Sequence, residues 1–303
     1  SSLQMLNRRH IRTLVIQSVY SNSHELIKKK DLKSYLKRTS SSTLDLFYCM
    51  IDYLKEIHLF FNNIESQKFS CPYITNNKYF FFFTKLNSIK FKRGQIINWD
   101  LNQNYIIEIK DKIIELNNIF LNTKKDDDES KLEFLIKCYS EIILESSLLY
   151  DFIEEQNINW VNDFPYVNSY LIKNIEKIDV ENPNSFHLPS LIDYEDEISF
   201  GQELLNKTLE NFDYLKSNIE GRTPNWDSER IAQIDYIILI TSIAELIYFQ
   251  TIPIKVTINE YIEIVKEFST PVSGKFVNGV IDSVVKDFIK QGLIVKTGRG
   301  LIT

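Results

Sequence analysis

Only one glycine, Gly94, occurs in the first 200 residues of this chain. Glycine and proline are the residues that let a backbone reverse sharply, and eight glycines with seven prolines in 303 residues are less than half the usual share. A chain so short of turns is expected to fill its length with helices, and the fold class reads as all-α. The other seven glycines lie beyond residue 200, and Pro253 and Pro271 each precede a helix-like stretch. The sequence therefore divides into a long, turn-poor first part and a punctuated last third. Hydrophobic residues at 44% and charged ones at 25% are globular values, which exclude wholesale disorder and collagen-like repeats.

The formal charge of −6 conceals an asymmetry: residues 1–38 carry nine Lys/Arg against two Asp/Glu, a local +7. Basic charge gathered at one end suits contact with a polyanion. Cys49, Cys71 and Cys138 are odd in number and far apart, with no partner at metal-ligand spacing, so free thiols in a reducing compartment are expected. The longest apolar stretch, Tyr236 to Phe249, is too short to cross a bilayer and contains Glu245. The basic N-terminus lacks the apolar core of a secretory leader, which points to the cytoplasm.

Helical periodicity recurs along the chain. Phe47, Met50, Ile51, Leu54, Ile57, Phe61 and Ile64 keep to one face, as do Ile106, Ile109, Ile113, Leu116 and Phe120, and then Leu132, Leu135, Ile136, Tyr139, Ile142, Ile143 and Leu149. The acidic run Asp126 to Glu129 reads as the start of the third helix. Cys71 to Gly94, with five consecutive aromatics from Tyr79 to Phe83, reads as a short hairpin or a loop. Pro165, Pro183 and Pro189 mark a connector around one short helix near residues 167–178. One helix is expected from Ile198 to Ile219, ended by Gly221 and Pro224. Next comes a helix capped by Asp227 or Ser228 and apolar nearly all round, so central in its bundle. Thr257 and Glu260 form a T-x-x-E capping box, and Ser273 opens the last helix.

Enzyme signatures are scarce: there is no G-x-G-x-x-G, P-loop, H-E-x-x-H or G-x-S-x-G, and the four histidines are scattered. The sequence implies no catalytic residue, no metal and no cofactor. The positive signal is the cluster Asn7, Arg8, Arg9, His10 and Arg12, leading into a helix that ends in Tyr20. Guanidinium groups bind phosphates through paired donors and stack on bases, and a nearby aromatic adds a stacking face suited to single-stranded RNA. A solvated basic end is the competing reading, and from the cluster alone the two stand level. Lys28, Lys29, Lys30, Lys33, Lys37 and Arg38 read as a charged helix face.

These residues resemble a family. Met5-Leu-Asn-Arg-Arg-His-Ile-Arg12 followed by Val15-Ile-Gln-Ser-Val-Tyr20 is similar to the opening of NusB transcription antitermination factors. Ile252-Pro-Ile-Lys-Val-Thr-Ile-Asn-Glu-Tyr261 and Ser273-Gly-Lys-Phe-Val-Asn-Gly-Val-Ile-Asp282 resemble that family's most characteristic stretch. Asn225-Trp-Asp-Ser-Glu-Arg-Ile-Ala232 and Ala244-Glu-Leu246 fall in order between them. The resemblance implies two small helical bundles, residues 5–30 plus 193–221 and residues 225–291, with a helical insertion at 31–192 and a flexible tail at 292–303. It implies a non-enzymatic role: binding boxA RNA of ribosomal leader transcripts together with the ribosomal protein NusE, within an RNA polymerase antitermination complex.

Position by position, the resemblance assigns RNA contact to Arg8, Arg9, Arg12 and Tyr20 and, at the head of the last helix, to Lys275 and Phe276. Asn278 and Gly279 read as structural, Gly279 permitting close packing. Glu229 and Asp235 occupy acidic positions like those that face NusE. Val272 departs from the family, standing where some members are acidic. Two alternatives remain: a NusB-like scaffold whose insertion binds another protein, and an accessory domain of an RNA-modifying enzyme, against which stands the absence of a Gly-rich cofactor loop and a Pro-Cys motif.

Overall fold

The computed structural model describes residues 4–23, 32–65, 70–86, 93–220, 222 and 233–303. In chain order the α-helices are α1 (Arg8–Ser23), α2 (Leu32–Glu65), α3 (Pro72–Thr75), α4 (Lys78–Lys85), α5 (Asn104–Ile107), α6 (Lys110–Thr123), α7 (Asp128–Lys137), α8 (Ser147–Gln156), α9 (Trp160–Ile175), α10 (Glu195–Glu210), α11 (Phe212–Glu220), α12 (Gln233–Tyr248), α13 (Ile254–Phe268) and α14 (Pro271–Lys290). Among the described residues there is no strand, and no helix is long and apolar enough to cross a membrane. The all-α class read from the sequence holds. Packing separates two compact units, one of Ser1–Met5 with Thr39–Asp193, the other of Leu6–Arg38 with Tyr194–Thr303.

In the unit built on residues 39–193, α2 is the spine. Its backbone carbonyls at Ser42 and Cys49 accept from the indole N–H groups of Trp160 (2.9 Å) and Trp99 (2.8 Å). The Tyr48 and Tyr53 hydroxyls donate to the carbonyls of Pro189 and Tyr105. Aromatic rings fill the space around it. Phe134 lies 5.2 to 6.3 Å from Phe120, Tyr73 and Phe80, and Phe186 meets Phe47, Phe82 and Phe83. The segment from Cys71 to Gly94, expected as a hairpin or a loop, instead carries two short helices, α3 and α4, among its described residues. Tyr79, Phe80, Phe82 and Phe83 are buried and only Phe81 is exposed, since helical geometry spreads consecutive side chains around the axis. Four of the five rings are therefore core. The acidic run does open a helix, with the Asp127 carboxylate accepting from the Ser130 N–H at 2.8 Å. Between α7 and α8, Cys138–Ile143 forms a π-helical turn, and α9 begins earlier than expected and contains Pro165. All three cysteines are free and buried.

The second unit is organised by α12, buried on nearly every side as its composition implied. The caps proposed for it, Asp227 and Ser228, lie outside the described residues, as do Gly221 and Pro224. The single helix expected at 198–219 is two, α10 and α11, separated at Asn211, whose side chain turns back to donate to the Lys207 carbonyl. Helix α13 begins at Ile254, after Pro253, so Thr257 is an interior residue and its capping box does not form. The cap of α14 is Thr270, which accepts from the Ser273 N–H. Gly279 is exposed with nothing near the place a side chain would occupy, so close packing does not explain it. Residues 292–303 do not trail away. Thr297 N–H donates to the Gln250 carbonyl, Lys296 to that of Phe249, and Ile294 and Gly300 are buried.

Gly201 lets α10 approach α1. A Cβ there would stand 2.4 Å from Ile11 Cγ2 and 2.5 Å from Leu36 Cδ2. Overpacking costs about 1–3 kcal/mol and alanine's helix preference returns up to about 1. Gly201→Ala should therefore lower stability by up to about 2 kcal/mol in denaturant unfolding. In the other unit, Phe134→Ala removes a fully buried ring from among three others and should cost about 3–5 kcal/mol.

Candidate nucleic-acid interface

Glu245 lies inside the apolar helix α12 with a side chain wholly excluded from solvent. A carboxylate in that position needs donors on both oxygens, because an unpaired buried charge costs far more than folding can absorb. The fold supplies four hydrogen bonds. Arg12 Nη2 (2.7 Å) and the Thr257 hydroxyl (3.0 Å) donate to Oε1, while Arg12 Nε (2.9 Å) and the Tyr261 hydroxyl (2.8 Å) donate to Oε2. Burial works against the charge on Arg12, and the adjacent Glu245 more than offsets it, holding the guanidinium above its usual range. Burial, helped by Glu245, pushes the Tyr261 phenol well above its ordinary range, so it stays a donor.

The three arginines of α1 are thereby separated in role. Arg12 is 2% exposed and committed to Glu245, so it has no surface to offer an RNA. Arg9 is half-buried and bidentate to Glu260 on α13, through Nε at 2.7 Å and Nη2 at 3.1 Å. Arg8 is exposed, its guanidinium carbon 4.6 Å from the centre of the Phe200 ring on α10, and Arg12 lies 5.1 Å from the same ring. Phe200 is in turn fixed edge-on against Phe249 at 5.3 Å. Stacking uses the face of the Arg8 guanidinium and leaves its in-plane N–H groups for an anion.

Tyr20 is partly exposed, but it follows Arg8 by three turns, about 18 Å along α1, and so stands apart from the arginine cluster. Lys275 is exposed and Phe276 half-buried in the first turns of α14, a helix that packs on α13. The start of α14 offers the free N–H groups of a helix N-terminus beside the Lys275 charge. Glu229 lies outside the described residues. Asp235 is fully buried in the first turn of α12, with neither carboxylate oxygen hydrogen-bonded among the described residues, and only the helix dipole favours it there; it has no exposed surface for a protein partner. No group of His, Cys, Asp and Glu suited to a metal occurs among the described residues.

Sequence reasoning missed Phe200, Tyr261 and the true parts of Glu245, Thr257 and Glu260. The signal for Glu245 was present: one carboxylate in an otherwise apolar helix demands a cation, and Arg12 sits on the same face of α1 as Val15, Ile16 and Val19. What the sequence does not disclose is that Arg12 reaches a residue 233 positions away.

The NusB family model matches residues 176–286. Transcription antitermination protein NusB of Salinibacter ruber is 46% identical over 103 residues, covering 34% of this chain and 64% of that protein. The NusB proteins of Chloroherpeton thalassium and Methylacidiphilum infernorum are 38% and 43% identical over 100 and 86 residues, covering 33% and 28% of this chain and 47% and 60% of theirs. The chain thus spans between about half and two thirds of the length of these relatives. No solved structure matches it.

Replacing Arg12 by Met keeps the length of the side chain and strands the Glu245 carboxylate. Loss of one partner from a buried pair costs about 3–5 kcal/mol, which denaturant unfolding of Arg12→Met should record.

Proposed function

We propose, from the premise that residues 176–286 form a NusB family domain, that this chain is an RNA-binding antitermination factor acting on boxA-type leader RNA together with the ribosomal protein NusE. The family is one of non-enzymatic antitermination factors, and the part assigned to this chain is likewise recognition rather than catalysis. The observation that carries the reading is the arrangement at the start of α1. Outside the matched segment in sequence, α1 packs against α10, α12 and α13 within it, and there it presents Arg8 on a fixed aromatic ring with Arg9 beside it.

In this reading Arg8 supplies phosphate contact, Phe200 sets its direction, and Lys275 with the head of α14 supplies a second point on the RNA path, where Phe276 offers a partial stacking face. Arg12 serves by position alone: it fixes α1 so that Arg8 and Arg9 project from one end. Tyr20 would meet RNA only if the strand ran the length of α1. Among the acidic positions, Asp235 is buried and Glu229 remains the one proposed to face NusE. An antitermination complex containing RNA polymerase would be the setting for these contacts.

The test is binding of boxA-type RNA and of a scrambled RNA of the same composition, with and without NusE, over a salt series. Arg8→Ala should weaken boxA binding by about tenfold, the size of one charge-assisted hydrogen bond. It should also flatten the slope of log affinity against log salt by about 0.7, the value for one phosphate contact on a single strand. Equal affinity for the two RNAs, with no gain on adding NusE, would reject the reading.

A further inference from the structure

Arg9 is engaged in the geometry that it would use for a phosphate. Its Nε and Nη2 meet the two Glu260 oxygens at 2.7 and 3.1 Å, a planar two-point match equivalent to the one an arginine makes with a phosphate. The pair is near the surface, with side chains 37% and 23% exposed, so an anion arriving over α1 competes directly for those donors. Glu260 is not needed to neutralise the buried cation beside it. Arg12 is already bound by Glu245 through two bonds, and its Nη1 lies 3.9 Å from Glu260. The site therefore contains one carboxylate more than its buried charge requires, and that carboxylate occupies an arginine at the edge of the proposed binding surface.

We infer that Glu260 is a positioning residue that withholds Arg9 from polyanions until a ligand displaces it, and so sets both the affinity and the salt dependence of the RNA site. The inference rests on the proposed RNA-binding function. Its physical consequence is a threshold: a phosphate seated well enough to take both donors of Arg9 displaces the carboxylate, whereas a loosely held backbone does not. Glu260 would then sharpen discrimination between boxA-type and scrambled RNA.

The experiment compares the full chain with Glu260→Gln, Arg9→Gln and the double variant, using the same two RNAs over a salt series, with circular dichroism to confirm folding. Glu260→Gln should tighten binding by about two- to fivefold, the factor that corresponds to an exposed ion pair. For the scrambled RNA it should steepen the salt slope by about 0.7 through one more phosphate contact, leave the boxA slope nearly unchanged, and so narrow the difference between the RNAs. In the Arg9→Gln background the same change should do none of this. Glu260→Asp, which keeps the charge and shortens the reach, should fall between wild type and Gln and serves if Gln fails to fold. Unchanged affinity in Glu260→Gln, or the same tightening with and without Arg9, would overturn the inference while leaving the function standing. Failure of the wild-type chain to bind either RNA, with Arg8→Ala indistinguishable from it, would remove both.

Discussion

A carboxylate sealed inside an apolar helix is the constraint around which the second unit is arranged. Glu245 has no route to solvent, so α12 can occupy the centre of its bundle only if neighbouring helices bring donors to both oxygens. Helix α13 brings two, from Thr257 and Tyr261, and α1 brings the charge, from Arg12. One carboxylate thus ties three helices together. It also explains why a segment from the far N-terminal end of the sequence is part of the same compact body as the NusB-like region.

That arrangement divides a basic cluster into residues of unlike function. Arg8, Arg9 and Arg12 look equivalent in sequence, yet they are in turn exposed on a ring, paired at the edge and buried in the interior. Only charges that reach solvent can displace the counterions of a nucleic acid. The charge that the N-terminus can present to any polyanion is accordingly smaller than its count of arginines, and it is directional, because Phe200 and Glu260 hold the two accessible guanidinium groups in place.

The unit at residues 39–193 shows how far periodicity alone carries. The stripe at 47–64 falls on one helix, whereas that at 106–120 is interrupted by the turn between α5 and α6, and that at 132–149 by a π-turn and the break before α8. Periodicity failed at Tyr79 to Phe83, where five aromatics in a row satisfy every pattern at once. Packing decided that segment, because Phe80 meets Phe134 and both Phe82 and Phe83 meet Phe186. The capping box at Thr257 failed for a related reason. Thr257 is well suited to a helix start, but the helix begins earlier, after Pro253, and the Thr257 hydroxyl donates instead to Glu245.

The sequence by itself determined the helical class, through the scarcity of turn residues, and the family resemblance, through short motifs near both ends. It also placed a charge in the middle of an apolar helix, which obliges some cation to be buried beside it. Which cation that is, and hence which arginines remain for a ligand, only the tertiary structure decided. The reason is physical: local patterns record what each segment prefers against water, whereas the pairing of Arg12 with Glu245 depends on two helices meeting across more than two hundred residues.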